Sequence, residues 1–342
     1  MRPLFLLLLC AACTTLSTDE ESMLRSHQRN ALHYFEGGLL PQAMGQIERG
    51  LELDPDDYKL NSLKGAVLLK TSASSQGTDH KQLDQACELL ARLYGFRSPY
   101  RHEPHLLLNY ALALQKQGRR HLGEAVRLEG QAARKPGGPA NEPASAPETL
   151  LEAAKAERQV ATENFEQARE LLSVLIERGF LLRYAYNHQL QIAQDLGDDK
   201  AFQEAGKAYV EQVAKDQQAE RATVEATKAP NHEAERFKAL RELQAEEVEV
   251  RILLAEHYHL LAAKTAGEEA QKLREQELTN LNRILELNPQ RSADYYNRGS
   301  VLLELKQPEA AKADFRRFLA TTTLPASSDK KRLALQALGL GQ

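Results

Sequence analysis

Ten histidines and three cysteines give this 342-residue chain its widest chemical reach, and their spacing decides what they could do. His102-Glu-Pro-His105 is the nearest approach to a metal pair. Pro104 denies it the single helical face on which two such ligands converge. His257-Tyr-His259 lies in a helical stretch, where residues two apart point about 200° apart and cannot share one ion. Asp54-Pro-Asp-Asp57 and Gly197-Asp-Asp199 bring carboxylates together as a general acid and base would require. Both fall at turns, where Asp caps the following helix. Cys10-Ala-Ala-Cys13 has redox or zinc spacing, but it stands in an apolar N-terminal run with no second pair. Cys87, within Asp84-Gln-Ala-Cys-Glu-Leu-Leu90, reads as a buried inert thiol on a helix. P-loop, GxGxxG and GxSxG patterns are absent from the sequence. The expectation is a protein with no catalytic residue, no metal ligand and no cofactor. An enzymatic site within a long insert is the remote alternative.

What positions these residues is helical. Hydrophobic residues make up 42% of the chain, aromatics 6%, and Trp is missing. Nineteen Gly and 13 Pro are few for an all-β chain of this length, because turns consume them. Forty-four Lys and Arg against 48 Asp and Glu leave a net charge of −4, without the basic excess a nucleic-acid binder needs. Three cysteines exclude a disulfide-dense scaffold. At about 150 residues per domain the length suggests two domains.

The N-terminus reads as an address. Met1-Arg2-Pro3 places one charge before the apolar run Leu4 to Leu9, and small residues follow, as in an export signal. The run is far shorter than the roughly 20 apolar residues that span a bilayer. Ala11-Ala12-Cys13 resembles the end of a bacterial lipoprotein signal, although Cys10 stands where Leu is usual. The resemblance implies cleavage after Ala12 and lipidation of Cys13. Thr15, where an Asp would mark inner-membrane retention, implies the outer membrane, facing the periplasm. A plain cleaved signal with an incidental Cys13 is the alternative.

Repeats organise the rest. Ala31, Tyr34, Ala43, Ile47, Gly50 and Pro55 follow one another as small, aromatic, small, large, small and proline. Tyr295, Gly299, Ala311 and Phe315 repeat the arrangement near the C-terminus, and Asn288-Pro289 matches Asp54-Pro55. These segments resemble tetratricopeptide repeats, clearest at 24–57 and 292–322. The resemblance implies an all-α, TPR-like α-α superhelix, a right-handed solenoid of helical hairpins interrupted by insertions at 71–80, 135–148 and 215–232. Each hairpin leaves an apolar face that only its neighbours can bury. A first helix is expected over His105 to Gln117, with Gly118 at its turn. Long helices are expected over Thr149 to Arg178 and His232 to Ala263, and a hairpin over Leu181 to Val213. The expected layout is a signal at 1–12, a lipidated tether at 13–23, an N-terminal array at 24–134 and a Pro/Gly linker at 135–148. A C-terminal array at 149–322 and a capping helix within 323–342 complete it.

The same resemblance implies that the first helix of each hairpin lines a concave groove holding a protein or peptide. Projected on this chain, the lining is Gln28, Leu32 and Phe35, then Ser62, Ala66 and Leu69, then Leu108, Leu112 and Gln115, and lastly Tyr296, Ser300 and Leu303. This lining is apolar with few charges. Gln28 and Leu32 stand where a terminal-carboxylate clamp would carry Lys and Asn. The implied function is a non-enzymatic scaffold for envelope assembly of the pilus, secretion or outer-membrane type, without nucleic acid. A self-associating structural solenoid is the rival.

Overall fold

The structure is a computed structural model that describes residues 16–72, 80–95, 98–133, 147–226, 233–325 and 327–340. Side chains at 224–226 and 233–236 are not among those described. The export signal, Cys13 and nearly all of the 135–148 linker therefore lie outside the described residues.

The described residues form thirteen helices and no strand. They are α1 (Thr18–Glu36), α2 (Leu40–Leu53), α3 (Tyr58–Thr71), α4 (His80–Tyr94), α5 (Pro104–Ala132), α6 (Pro147–Glu177) and α7 (Leu182–Leu196). Then come α8 (Asp199–Ala226), α9 (Glu233–Lys264), α10 (Gly267–Leu287), α11 (Ser292–Glu304), α12 (Pro308–Thr321) and α13 (Asp329–Ala337). Local chemistry sets their ends. Ser17 and Glu20 form a capping box on α1, the Ser17 amide donating to Glu20 Oε2 at 2.8 Å. Asp57 Oδ1 accepts from the Leu60 amide at 2.8 Å, and Asp198 Oδ1 from that of Ala201 at 3.0 Å. Both Asp clusters thus hold capping residues, which satisfy amides that a helix start leaves orphaned. Pro104, Pro147 and Pro308 begin helices, where a missing N–H costs nothing. Gly197, at φ +67°, ends α7 in the left-handed conformation.

Consecutive helices pair as six antiparallel hairpins, α1–α2 to α11–α12, and α13 packs on α12. Small residues make the crossings close. Ala31, Ala43 and Ile47 are fully buried in the first hairpin. A Cβ on Gly65 would stand 2.7 Å from the Leu90 side chain, one on Gly118 2.7 Å from the Phe165 ring, and one on Gly299 2.9 Å from Phe315. Each glycine therefore lets a large side chain of the second helix press on the backbone of the first.

Three expectations on organisation need correction. Gly118 is not at a turn: α5 runs through it to Ala132, because Phe165 needs that position bare. The segment 215–226 is not an insert: α8 continues to Ala226, and Gln217 on it is buried against α9. The chain does not divide at the Pro/Gly linker. It forms two compact units, Met1–Phe180 and Leu181–Gln342. The helices on either side of the linker, α5 and α6, are partners in one hairpin, zipped by Arg158 to Glu129 at 2.7 Å and His121 to Glu157 at 2.6 Å. A flexible composition marks a connection, and it does not say whether the flanking helices pack on each other.

Each unit has its own core. The first is built on Ile47, Leu60 and Val67, with Leu83, Leu90, Phe165 and Leu172 following along the chain. In the second, α9 is buried on two sides. Leu243, Val250, Leu254 and Tyr258 meet Phe202 and Tyr209 of α8, and Val248 and Ala255 meet Leu281 and Ile284 of α10 with Val301 of α11. The terminal helix α13 closes the last hairpin with Ala334 against Phe315 and Phe318, and Gly339 at φ +72° follows it.

Candidate partner-binding face

In the first unit the first helices α1, α3 and α5 lie side by side, α1 touching α3 and α3 touching α5. On α1, Gln28 Nε2 donates to Asp57 Oδ2 at 2.8 Å, so this residue is tied to the α2–α3 turn. Leu32 is 48% exposed, and Phe35 beside it is half-buried. On α3 the expectation fails for Leu69, which is 4% exposed, and Ser62 and Ala66 are buried with it. The cause is position: α3 is packed by α1, α2, α4 and α5, so little of its circumference stays open. On α5, Leu108 and Leu112 are half-buried and Gln115 is buried.

The open places between these residues carry cations that the repeat pattern does not single out. Lys70 Nζ stands 4.2 Å from the centroid of the Phe35 ring. Lys116 Nζ reaches back from α5 and donates to the Leu69 carbonyl at 3.1 Å. Burial, with the charge of Arg119 as a second cause, holds the Lys116 ammonium below its ordinary pKa. The face is therefore cationic as well as apolar. The signal in the sequence is a Lys beside a groove position, at Leu69-Lys70, and another one turn beyond Leu112.

In the second unit the α11 residues part company. Tyr296 does not face an open groove. Its ring packs against Phe315 and Phe318, at 5.8 and 5.2 Å between centroids, and Lys330 of α13 covers it at 5.2 Å. The Ser300 hydroxyl donates to the Tyr296 carbonyl at 3.1 Å. Leu303 alone of the three is open, at 42% exposure. The capping helix occupies the side on which Tyr296 was expected to meet a partner.

The second unit also holds a buried polar knot. Glu247 on α9 is 1% exposed. It accepts from Gln217 of α8 at 2.9 Å, from Arg251 at 2.8 Å and from Arg283 of α10 at 2.9 Å. Burial alone would raise its pKa, yet the hydrogen bonds from Arg283, Arg251 and Gln217 outweigh it and hold the carboxyl below its ordinary value. Next to it, Arg183 bridges Asp216 at 2.8 Å and Glu246 at 2.6 Å, and the Tyr209 hydroxyl donates to Glu246 at 3.2 Å. This knot ties α7, α8, α9 and α10 together and offers no open position to a ligand.

The remaining chemical candidates are engaged structurally. The His257 ring packs tilted against Phe202, 4.3 Å between centroids, and His259 lies against Glu277 at 3.0 Å, so the pair faces different neighbours. His105 meets Phe180 edge-on. Burial pushes the Cys87 thiol up to about 12, far from the reactive range. Among the described residues, no group of three or more His, Cys, Asp or Glu is arranged to hold a metal. No described helix is long and apolar enough to cross a membrane.

No protein-family model matches the chain, and no curated protein does. Solved structures resemble it in fold. The S. pombe nuclear import adaptor Nro1 aligns with a TM-score of 0.55 at 14% identity, over 95% of this chain and 98% of that one. A tetratricopeptide repeat protein from Parabacteroides merdae gives 0.25 at 11% identity, over 93% and 98%. The TPR2AB domain of yeast Sti1, in its pHSP90 complex, gives 0.25 at 11% identity, over 94% and 97%. The paired helices, the close small-residue crossings and the terminal cap make this an all-α, TPR-like fold.

Proposed function

We propose that this chain is a non-enzymatic interaction scaffold that holds another protein or peptide on the α1–α3–α5 face. It is tethered by lipid at Cys13 to a bacterial outer membrane, facing the periplasm, and serves assembly of a pilus, secretion or outer-membrane type. The observation that carries the interaction reading is the face itself: exposed Leu32 beside half-buried Phe35, with Lys70 and Lys116 at its edge. Apolar side chains open to solvent next to one another are the kind of surface a partner can cover, which supports this reading. Cross-linking and pull-down of the full chain from its native membrane should recover a foreign protein in stoichiometric amount. Leu32→Ser, at an exposed position, should reduce that recovery without a change in melting temperature. Recovery of the chain itself and nothing else would move the reading to a self-associating solenoid.

Anchoring rests on Ala11-Ala12-Cys13. A diacylglyceryl Cys supplies two acyl chains, at about 0.8 kcal/mol per buried CH₂, and two such chains give stable attachment. Cys13→Ala is expected to move the protein from the membrane to the soluble fraction or to stall it with its signal uncleaved. Normal processing and retention in that variant would remove lipidation from the proposal.

A further inference from the structure

We propose that Tyr58 and Tyr100 form an oxidative cross-linking site. A peroxide-fed one-electron oxidant joins the two rings and staples the start of α3 to the α4–α5 connection. The inference stands apart from the scaffold reading and does not rest on it.

The two rings lie nearly parallel, 3.9 Å between centroids and 12° between planes. Aromatic pairs more often meet edge-on or offset, with centroids about 4.5–7 Å apart. Tyr94 and Tyr110 do so, tilted by 43° at 5.4 Å. In the Tyr58–Tyr100 stack each ring carbon, those ortho to the hydroxyl included, lies close to the other ring. Local structure holds both rings in place. Asp57 caps α3 and fixes Tyr58 as its first residue. The connection before α5 is drawn tight around Tyr100, whose amide donates to Ser98 Oγ at 3.2 Å and whose carbonyl accepts from the Glu103 amide at 2.9 Å. Tyr100 is 39% exposed and Tyr58 is half-buried, so an oxidant reaches Tyr100 first. Burial, with the charge of Glu103 as a second cause, pushes the Tyr58 phenol up to about 12, which keeps it protonated and the poorer first electron donor.

The coupling balances. Each phenol gives up one electron and its O–H proton. The two phenoxyl radicals join by a bond between ortho carbons, and the hydrogens on those carbons move to the oxygens and restore two phenols. One hydrogen peroxide takes up the two electrons and two protons and leaves as two waters. The new bond closes a loop that contains α3 and α4 whole. Like a disulfide, it restricts the unfolded chain and so favours the folded unit.

The test treats the purified full chain, at low concentration, with a haem peroxidase and limiting hydrogen peroxide. A monomer-sized product lighter by two hydrogens and fluorescing as dityrosine should form. The chain has 11 tyrosines, so mass mapping of its digest decides, and it should join the peptides that hold Tyr58 and Tyr100. The yield per chain should not change on dilution, whereas coupling between chains through exposed Tyr184 should fall. Tyr100→Phe keeps the ring and the stack but has no phenol to oxidise, and should lose the product with its circular dichroism unchanged. Tyr58→Phe should lose it from the other side, and Tyr94→Phe should keep it. The cross-linked chain should need more urea to unfold than Tyr100→Phe treated in the same way. Links that map to other tyrosines, dimers alone, an undiminished yield in Tyr100→Phe, or no gain in urea resistance would each overturn the proposal.

Discussion

Glu247→Ala is expected to be the most damaging substitution in the second unit. It removes the shared acceptor of Arg251, Arg283 and Gln217, leaving Arg251 with no carboxylate and Arg283 with only the more exposed Glu286 at 3.1 Å. Breaking a buried ionic group from one side costs about 3–5 kcal/mol. For a unit of this size that corresponds to a fall in Tm on the order of 10 °C. Glu247→Gln keeps the shape but offers one acceptor oxygen in place of two, and should fall between the wild type and Glu247→Ala. The acid dependence has a definite sign. Because the folded carboxyl titrates below its ordinary value of 4.5, its stabilisation is complete above that value and is lost as pH falls through the lower, folded one. Urea unfolding at pH 7 and pH 4 should show the gap between wild type and Glu247→Ala narrowing at the lower pH. A gap that widens would mean that the carboxyl is not the charged acceptor described.

Ala311→Glu is expected to have a comparable effect on the last hairpin. Ala311 is 0% exposed, within the cluster of Leu302, Phe315, Phe318 and Ala334. A glutamate there overpacks the crossing and buries a charge with no cation among those neighbours, a cost above about 3 kcal/mol. Glu309 sits two residues earlier on the same helix, pointing to solvent with Lys312 at 2.8 Å. Exposed pairs of this kind contribute little, so Glu309→Ala should leave the melting temperature within error. Thermal melts by circular dichroism compare the two directly. Equal shifts would show that α12 is rotated about its axis, with Ala311 turned away from the crossing.

The repeat signature is readable wherever its meaning is steric. Ala31, Ala43, Gly65 and Gly299 sit at crossings, where a larger residue would hold the two helices apart. Gly118 misleads because a glycine inside a helix and a glycine ending one look alike in sequence. Only the distant Phe165 distinguishes them. The candidate groove is less legible. Whether a first-helix residue is open depends on what covers it, and the covering elements are remote: α5 closes over Leu69, and α13 closes over Tyr296. Lys70 and Lys116 do not stand out in the sequence because a lysine on a helix is most often solvated, and their contacts with the Phe35 ring and the Leu69 carbonyl join three helices. The Glu247 knot is illegible for the same reason, since Gln217, Arg251 and Arg283 come from three separate helices.

The pairing of each helix with its successor governs how this chain reaches its fold. Within each unit, the principal contacts among the described helices join neighbours in order, with α1 on α3 and α3 on α5 skipping one helix. Such topologies have low contact order: little loop entropy is lost before each hairpin's contacts form. Nucleation can then start at any well-packed hairpin and spread along the chain. The α5–α6 hairpin is the natural starting point, with the longest paired surface and Phe165 locked on Gly118. A chain still being synthesised can therefore lay down hairpins in sequence, before its C-terminal helices exist.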